Sequence, residues 1–303
     1  MNNANEIRFR ASGFHHLDVE PKKGELIAKG TQTHLVDVFA SAKYGRHEEI
    51  TGKYLDKGNE CEEDAITALS RVTKRLFKKN DVRLTNNWIT GEPDVFIGES
   101  IEKADETIDT KTSWSLHTFL RAKHKPLEKA YYWQGQCYMM LTGAKKHTVA
   151  YCLVNGTAKA IMDEKRVLSY SYDIIDTEPQ EYVDKCKQIE INHIFDLGLF
   201  RKHNPFFEFH NDVNKWTYDI PLADRVFTFL VERDEEAIES IKVRCESARK
   251  WMDKHLFKTE LNEMLPDQKF IDQAKEMPEP KPDCSSKIEQ GKKLQKLVKT
   301  TTI

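Results

Sequence analysis

No apolar run in the 303-residue chain approaches the roughly 18 to 20 residues that a membrane-crossing helix needs. The N-terminus, Met1-Asn-Asn-Ala-Asn-Glu-Ile, has neither the basic nor the apolar region of a secretory signal. The six cysteines (Cys61, Cys137, Cys152, Cys186, Cys245 and Cys284) are scattered. With no Cys-x-x-Cys pair and no histidine nearby, they complete neither a zinc set nor an iron–sulfur cluster, and most of them read as reduced core thiols. No segment of 20 to 50 residues repeats, which excludes a solenoid. Net charge is also missing: 47 Lys and Arg stand against 49 Asp and Glu, a formal balance of −2. That excludes a uniformly basic nucleic-acid coat but allows a local basic groove. Together these absences predict a soluble cytoplasmic protein with no membrane partner.

What is present suffices for a large core. Apolar residues make up 39% of the chain and charged residues 32%, a composition of folded proteins with highly charged surfaces. A helix is predicted over about Gln32 to Ala42. From Cys61 to Lys78 the apolar residues Ala65, Ile66, Leu69, Val72, Leu76 and Phe77 recur at intervals of three and four, the spacing of an amphipathic helix. Two extended runs follow, Trp88 to Ile97 and Thr107 to Ser113, joined by the charged loop Gly98 to Glu106; Pro93 marks an edge or bulge. A helix rich in aromatic residues is expected from Leu127 to Leu141, stopped by Gly143, and a buried strand from His147 to Val154. Further helices are predicted over Pro179 to Asp196 and Glu235 to Leu256, with a strand end at Trp216 to Pro221. The order implies an α/β fold, a central mixed β-sheet flanked by helices. The domain is expected to span residues 1–265, with its core at about 57–155. Alternating prolines and a run of lysines make 266–303 a Pro/Lys-rich tail, read as a solvated linker and arm.

The candidate chemistry gathers around the paired strands. Asp94 ends Gly91-Glu-Pro-Asp94, and Asp109-Thr110-Lys111 follows fifteen residues later. Residues i and i+2 of a strand share a face, so Asp109 and Lys111 project together, and Asp94 on the neighbouring strand can join them. Converging carboxylates are costly unless a cation neutralises them, and hard oxygen ligands favour Mg²⁺, with Mn²⁺ as a substitute. An adjacent lysine can steady developing negative charge, so the set suits phosphodiester hydrolysis. The Asp-x-Lys spacing alone carries no weight, because Glu20-Pro-Lys22, Asp163-Glu-Lys165, Asp267-Gln-Lys269 and Glu279-Pro-Lys281 repeat it. The neighbours give it meaning. Upstream, Gly58-Asn-Glu-Cys-Glu62 opens a helix; downstream, Gln134 and Tyr138 lie one helical turn apart.

Taken together, these motifs resemble the PD-(D/E)xK nuclease superfamily, and within it the phage lambda exonuclease and YqaJ-type recombination nucleases, related to RecB-type domains. The match covers about Lys57 to Asn155: Gly58-x-x-x-Glu62, Pro93-Asp94, Asp109-x-Lys111 and Gln134-x-x-x-Tyr138 stand in the family's order. The resemblance implies a restriction-endonuclease-like core and a Mg²⁺-dependent deoxyribonuclease, of the phage type that degrades duplex ends 5′ to 3′ in recombination or repair. It implies metal ligation by Asp94, Asp109 and the Thr110 carbonyl, with Glu62 helping directly or through water. Lys111 would orient or activate the nucleophile, and Gln134 and Tyr138 would complete the site. Arg10 and Ser12 resemble the phosphate-binding Arg and Ser of lambda-type enzymes. The family also implies DNA ends as substrate, a possible trimer, a possible single-strand annealing partner and, for a phage protein, the bacterial host cytoplasm.

Independently, the basic residues Arg121, Lys123, Lys125 and Lys129 can hold a phosphate backbone or form a solvated loop. The acidic loop with Glu99, Glu102, Asp105 and Glu106 departs from a DNA-binding lining and is expected to point away from the groove. Two rival readings keep the fold. One is a structure- or sequence-specific endonuclease, the other a catalytically silent DNA-binding or scaffolding protein.

Overall fold

The computed structural model describes residues 3–47, 52, 57, 58, 60–172, 174 and 177–257. The expected domain end at 265, the tail 266–303 and Cys284 lie outside the described residues.

The main sheet has four strands in the order β4-β5-β6-β7: β4 (Val95–Gly98), β5 (Ala104–Thr112), β6 (Lys146–Cys152) and β7 (Val226–Glu232). Its outer pairs are antiparallel, and β5 and β6 run parallel in the register Asp109↔Val149 and Lys111↔Tyr151. The sheet is therefore mixed, as predicted. Parallel neighbours need a long crossover. Here α3 (Leu116–Lys123) and α4 (Lys129–Thr142) supply it. A second sheet, in the order β1-β3-β2, joins Phe9–Arg10, Ile89–Gly91 and Leu84–Thr85. The remaining helices are α1 (Lys29–Tyr44), α2 (Glu62–Thr73), α5 (Ala158–Ser169), α6 (Gln180–His193), α7 (Leu197–His203) and α8 (Glu235–Met252). Among the described residues no helix is long and apolar enough to cross a membrane.

Helices cover both faces of the main sheet. On one face α2 buries Ala65, Ile66, Ala68 and Leu69 against Ile108, Ala150 and Cys152. Its first turn, Glu62-Glu63-Asp64, places three carboxylates at the positive end of the helix dipole. On the other face lies α4, whose residues from Trp133 to Met139 are all buried. A helix enclosed all round has no polar stripe to display. Gly135 lets it approach β6: a Cβ there would lie 2.4 Å from the His147 ring. Gly143 ends α4 at φ 81°, in the left-handed conformation expected of a helix stop. Cys61, Cys137, Cys152, Cys186 and Cys245 are buried free thiols.

Four expectations need correction. The run Trp88 to Ile97 is two strands in two sheets, because Pro93 has no N–H to donate and the chain turns there from β3 to β4. The helix predicted to Lys78 stops at Thr73: Lys74 turns left-handed at φ 56°, and Ser70 accepts hydrogen bonds from the Arg75 and Phe77 amides. Trp216 to Pro221 contains no strand; its Asp219 instead accepts from the Leu197 amide and the Trp216 indole, and the strand follows at Val226. The segment around Arg121 is not a loop but the helix α3, started by a Ser115/Thr118 capping box.

Candidate active site

The site forms where β4 and β5 part. Their ladder closes on Val95↔Ile108. One residue earlier, Asp94 continues the pairing with its side chain: Oδ2 accepts from the Thr110 amide at 2.6 Å and from the Thr110 hydroxyl at 2.7 Å. Helix α4 approaches this open edge from one face of the sheet and α2 from the other.

Asp109 and Lys111 share the α4 face of β5, as their spacing predicts. Asp109 is 3% exposed. Its Oδ1 accepts from Gln134 Nε2 at 3.0 Å, and its Oδ2 lies 2.5 Å from Lys111 Nζ. Lys111 Nζ also donates to Gln134 Oε1 at 3.2 Å and sits 4.5 Å from the centre of the Tyr131 ring. Gln134 Nε2 contacts the Tyr138 hydroxyl at 2.8 Å, so the helical i, i+4 pair extends the chain of polar contacts. Gln134 thus touches both the acid and the base, a role that packing alone does not ask of a buried amide.

Acid is in excess here. Burial and then the Asp109 charge push the Asp94 carboxyl up to about 7, against the Thr110 bonds that lower it. Burial alone would lower Lys111, but Asp109 outweighs it and holds the ammonium above its ordinary value. Tyr138 is driven well above the usual phenol range by burial and by Asp109. The two carboxylates therefore strain against each other, which a cation would relieve.

Glu62, the first residue of α2, adds its charge to the field at Asp94, but its Oε1 pairs with Lys79 Nζ at 3.2 Å. Among the described residues, no three His, Cys, Asp or Glu side chains converge as a metal cage. The ammonium groups of Lys111 and Lys79 supply positive charge at Asp109 and Glu62 instead. The donor set nevertheless fits a hard divalent ion. Asp109 Oδ2 is buried and makes no hydrogen bond of proper angle, being held only by its ion pair. All the side-chain groups on offer are carboxylate oxygens, as Mg²⁺ or Mn²⁺ prefers.

The other predicted residues sit further out. Arg10 and Ser12 are exposed, on either side of buried Ala11. Ala11 and Tyr138 both approach Gly91 so closely that a Cβ there would lie 2.9 and 2.8 Å from them, which puts this segment beside the Tyr138 end of the site. Arg121 and Lys123 are exposed on α3, and Lys125 is exposed just beyond it, with no described contact to the carboxylates. Of the acidic residues expected in a loop, Glu99 and Glu102 precede β5, whose first residue lies five positions, about 16 Å of strand, before Asp109. Asp105 and Glu106 stand in the strand itself, where Glu106 accepts from the Thr148 hydroxyl at 2.6 Å.

Two partners were not singled out in the sequence. Lys79 masks Glu62, and Asn80 clamps the Pro93-Asp94 turn, its amide donating to the Asp94 carbonyl at 2.7 Å and its Nδ2 to the Pro93 carbonyl at 2.9 Å. The only sequence signal for either was the Lys78-Lys79-Asn80 run after the helix.

The sequence matches no protein-family profile and no curated protein. Solved structures do match. A phage-related exonuclease from Haemophilus somnus 129PT superposes with a TM-score of 0.57 at 24% identity, over 86% of this chain and 97% of that one. An alkaline exonuclease from Laribacter hongkongensis gives 0.50 at 14% identity, over 85% and 95%. The fold expected from the resemblance to lambda-type nucleases is thus the fold that this chain shares with solved exonucleases.

Proposed function

We propose that this chain is a Mg²⁺-dependent deoxyribonuclease that degrades DNA from duplex ends. One observation carries the reading: Asp94, Asp109, Lys111 and Gln134 meet at one open sheet edge with negative charge in excess. A divalent ion held by Asp94 and Asp109 would supply the positive charge that activates water and stabilises the leaving 3′-oxygen. Lys111 would be released from Asp109 as that charge is matched, leaving its ammonium to hold a phosphoryl oxygen or the attacking water. Gln134 would keep both groups in register through its two bonds, and Tyr138 would fix the Gln134 amide. End-directed cutting is supported by the shared fold of two exonucleases. The 5′-to-3′ polarity follows from the family resemblance.

The test compares linear with covalently closed duplex DNA in Mg²⁺, Mn²⁺ and EDTA. The expected result is loss of the linear form in either metal, none in EDTA, and intact circles. Cutting of closed circles would establish an endonuclease instead. Absence of cleavage, together with absence of Mg²⁺ or Mn²⁺ binding by calorimetry, would sink the reading.

A further inference from the structure

A run of unbalanced positive charge flanks the carboxylate site, in residues 71–79. Arg71, Lys74, Arg75, Lys78 and Lys79 occur there with no acidic residue among them, and all five are exposed. Some exposed lysines elsewhere pair with neighbouring acids, as in Lys103–Glu99 and Lys185–Glu181. Among the described residues, Lys79 pairs with Glu62, whereas Arg71, Lys74 and Lys78 have no carboxylate partner.

This basic arm is aimed and held. It leaves the far end of α2, whose 12 residues span about 18 Å, and returns to the helix start. There Lys79 Nζ lies 3.2 Å from Glu62, and Asn80 is bonded to the Pro93 and Asp94 carbonyls. Between these ends the Ser70 carbonyl and hydroxyl accept from the Arg75 and Phe77 amides, both at 3.1 Å. Phe77 packs beside the α2 core, and the Arg75 guanidinium lies 5.6 Å from its ring centre. With Phe77 turned in, Leu76 is turned out and is 97% exposed at the crest.

We infer that residues 71–79 are the track for the phosphate backbone of the DNA that enters the carboxylate site. The inference rests on the nuclease reading and adds where the duplex lies. At about 3.4 Å of helix axis per nucleotide of one strand, an 18 Å arm runs beside about five phosphates. The charge is of the right sign, is spent on a carboxylate only at Lys79, and is continuous with Glu62 and Asp94. Leu76 stands among the cations, where deoxyribose rather than water covers it. Lys74 carries a further sign of use. It occupies the left-handed helix-end position that glycine takes without strain, so a cation stands where the backbone favours another residue.

The experiment measures binding of the full chain to a short blunt fluorescent duplex by anisotropy, with Ca²⁺ in place of Mg²⁺, across 50 to 200 mM salt. Each phosphate that a variant no longer neutralises lowers the slope of log affinity against log salt by about 0.9. The triple variant Lys74→Ala/Arg75→Ala/Lys78→Ala should therefore flatten the slope by about 2.7 and raise Kd at least tenfold. Lys74→Gly keeps folding out of the question: it should raise the melting temperature by relieving the left-handed strain, yet flatten the slope by about 0.9. A triple variant with the wild-type slope and Kd would overturn the inference, as would a wild-type chain that does not bind the duplex. A wild-type chain that binds but never cuts in Mg²⁺ would remove the nuclease reading alone, and the slopes would still decide the arm.

Discussion

Two buried clusters in this molecule handle negative charge in opposite ways. Glu190, on α6, is wholly buried, and both of its oxygens are saturated. Oε1 accepts from Lys165 Nζ at 2.6 Å and the His210 amide at 2.7 Å, Oε2 from the Asn211 amide at 3.0 Å and its side chain at 2.5 Å. Burial alone would raise its pKa, but these donors prevail and hold it below the ordinary range. At the β4–β5 edge the balance is reversed. Asp94 is pushed up to about 7 by burial and by Asp109, and Asp109 Oδ2 has no well-angled donor. The first cluster is complete in itself and staples residues 210 and 211 to α5 and α6. The second leaves like charges facing each other, which is the imbalance that the proposed metal ion would relieve.

The sharpest way to break this contrast is to remove one carboxylate from each cluster. Asp109→Ala should lower Mg²⁺-dependent cleavage by on the order of 10³-fold, measured in single turnovers, with a smaller loss of stability in EDTA than Glu190→Ala, because relief of the Asp94 carboxyl offsets the lost Lys111 pair. Glu190→Ala should do the converse. It leaves Lys165 buried without its counter-charge and should cost about 3 to 5 kcal/mol in urea unfolding, with Mg²⁺ affinity unchanged. Were Glu190→Ala to cost nothing while Asp109→Ala unfolded the chain, the roles would have to be exchanged.

The pH dependence sharpens the same comparison. A carboxyl whose folded pKa is raised favours the fold below its unfolded pKa and loses that advantage as pH rises. In EDTA, Asp94 should therefore cost stability progressively between about pH 4 and pH 7, by at most about 4 kcal/mol, and Asp94→Asn should abolish the decline. Glu190 has the opposite sign. Its folded pKa is lowered, so its contribution is present above the ordinary glutamate range and is lost as the solution is acidified. Denaturant midpoints across pH check both, and a decline that survives Asp94→Asn would contradict the carboxylate strain. The smallest effect concerns the shared support. Gly135→Ala sets a Cβ 2.4 Å from the His147 ring, and should cost about 1 to 3 kcal/mol while displacing the adjacent Gln134. Its cleavage rate should fall along with its midpoint.

How far the sequence could be read varied with the range of the interactions involved. Strand β5, helix α4, its Gly143 stop and the Asp109/Lys111 pairing were legible because period and spacing are local properties. The i, i+4 relation of Gln134 and Tyr138 was legible for the same reason. Strand β7 was not, although Phe227, Phe229 and Val231 alternate with Thr228 and Leu230. The neighbouring aromatic residues around Trp216 competed for the assignment, and only pairing with β6 settles it. The end of α2 was misjudged because Leu76 and Phe77 continue the helical period while the backbone has already turned at Lys74. That turn also creates the basic arm, which the helical period of the sequence conceals by placing Lys74 and Lys78 in the helix.

The sequence by itself determined the order of the elements, that Asp109 and Lys111 share one side of β5, and the charge types available for chemistry, because covalent spacing fixes all three. Only the tertiary structure decided that Asp94 bonds to Thr110 across a parting ladder, that Gln134 bridges Asp109 and Lys111, and that Lys79 folds back onto Glu62. Those contacts join residues far apart in the chain. Their strength depends on burial, which comes into being only when α2 and α4 close over the sheet.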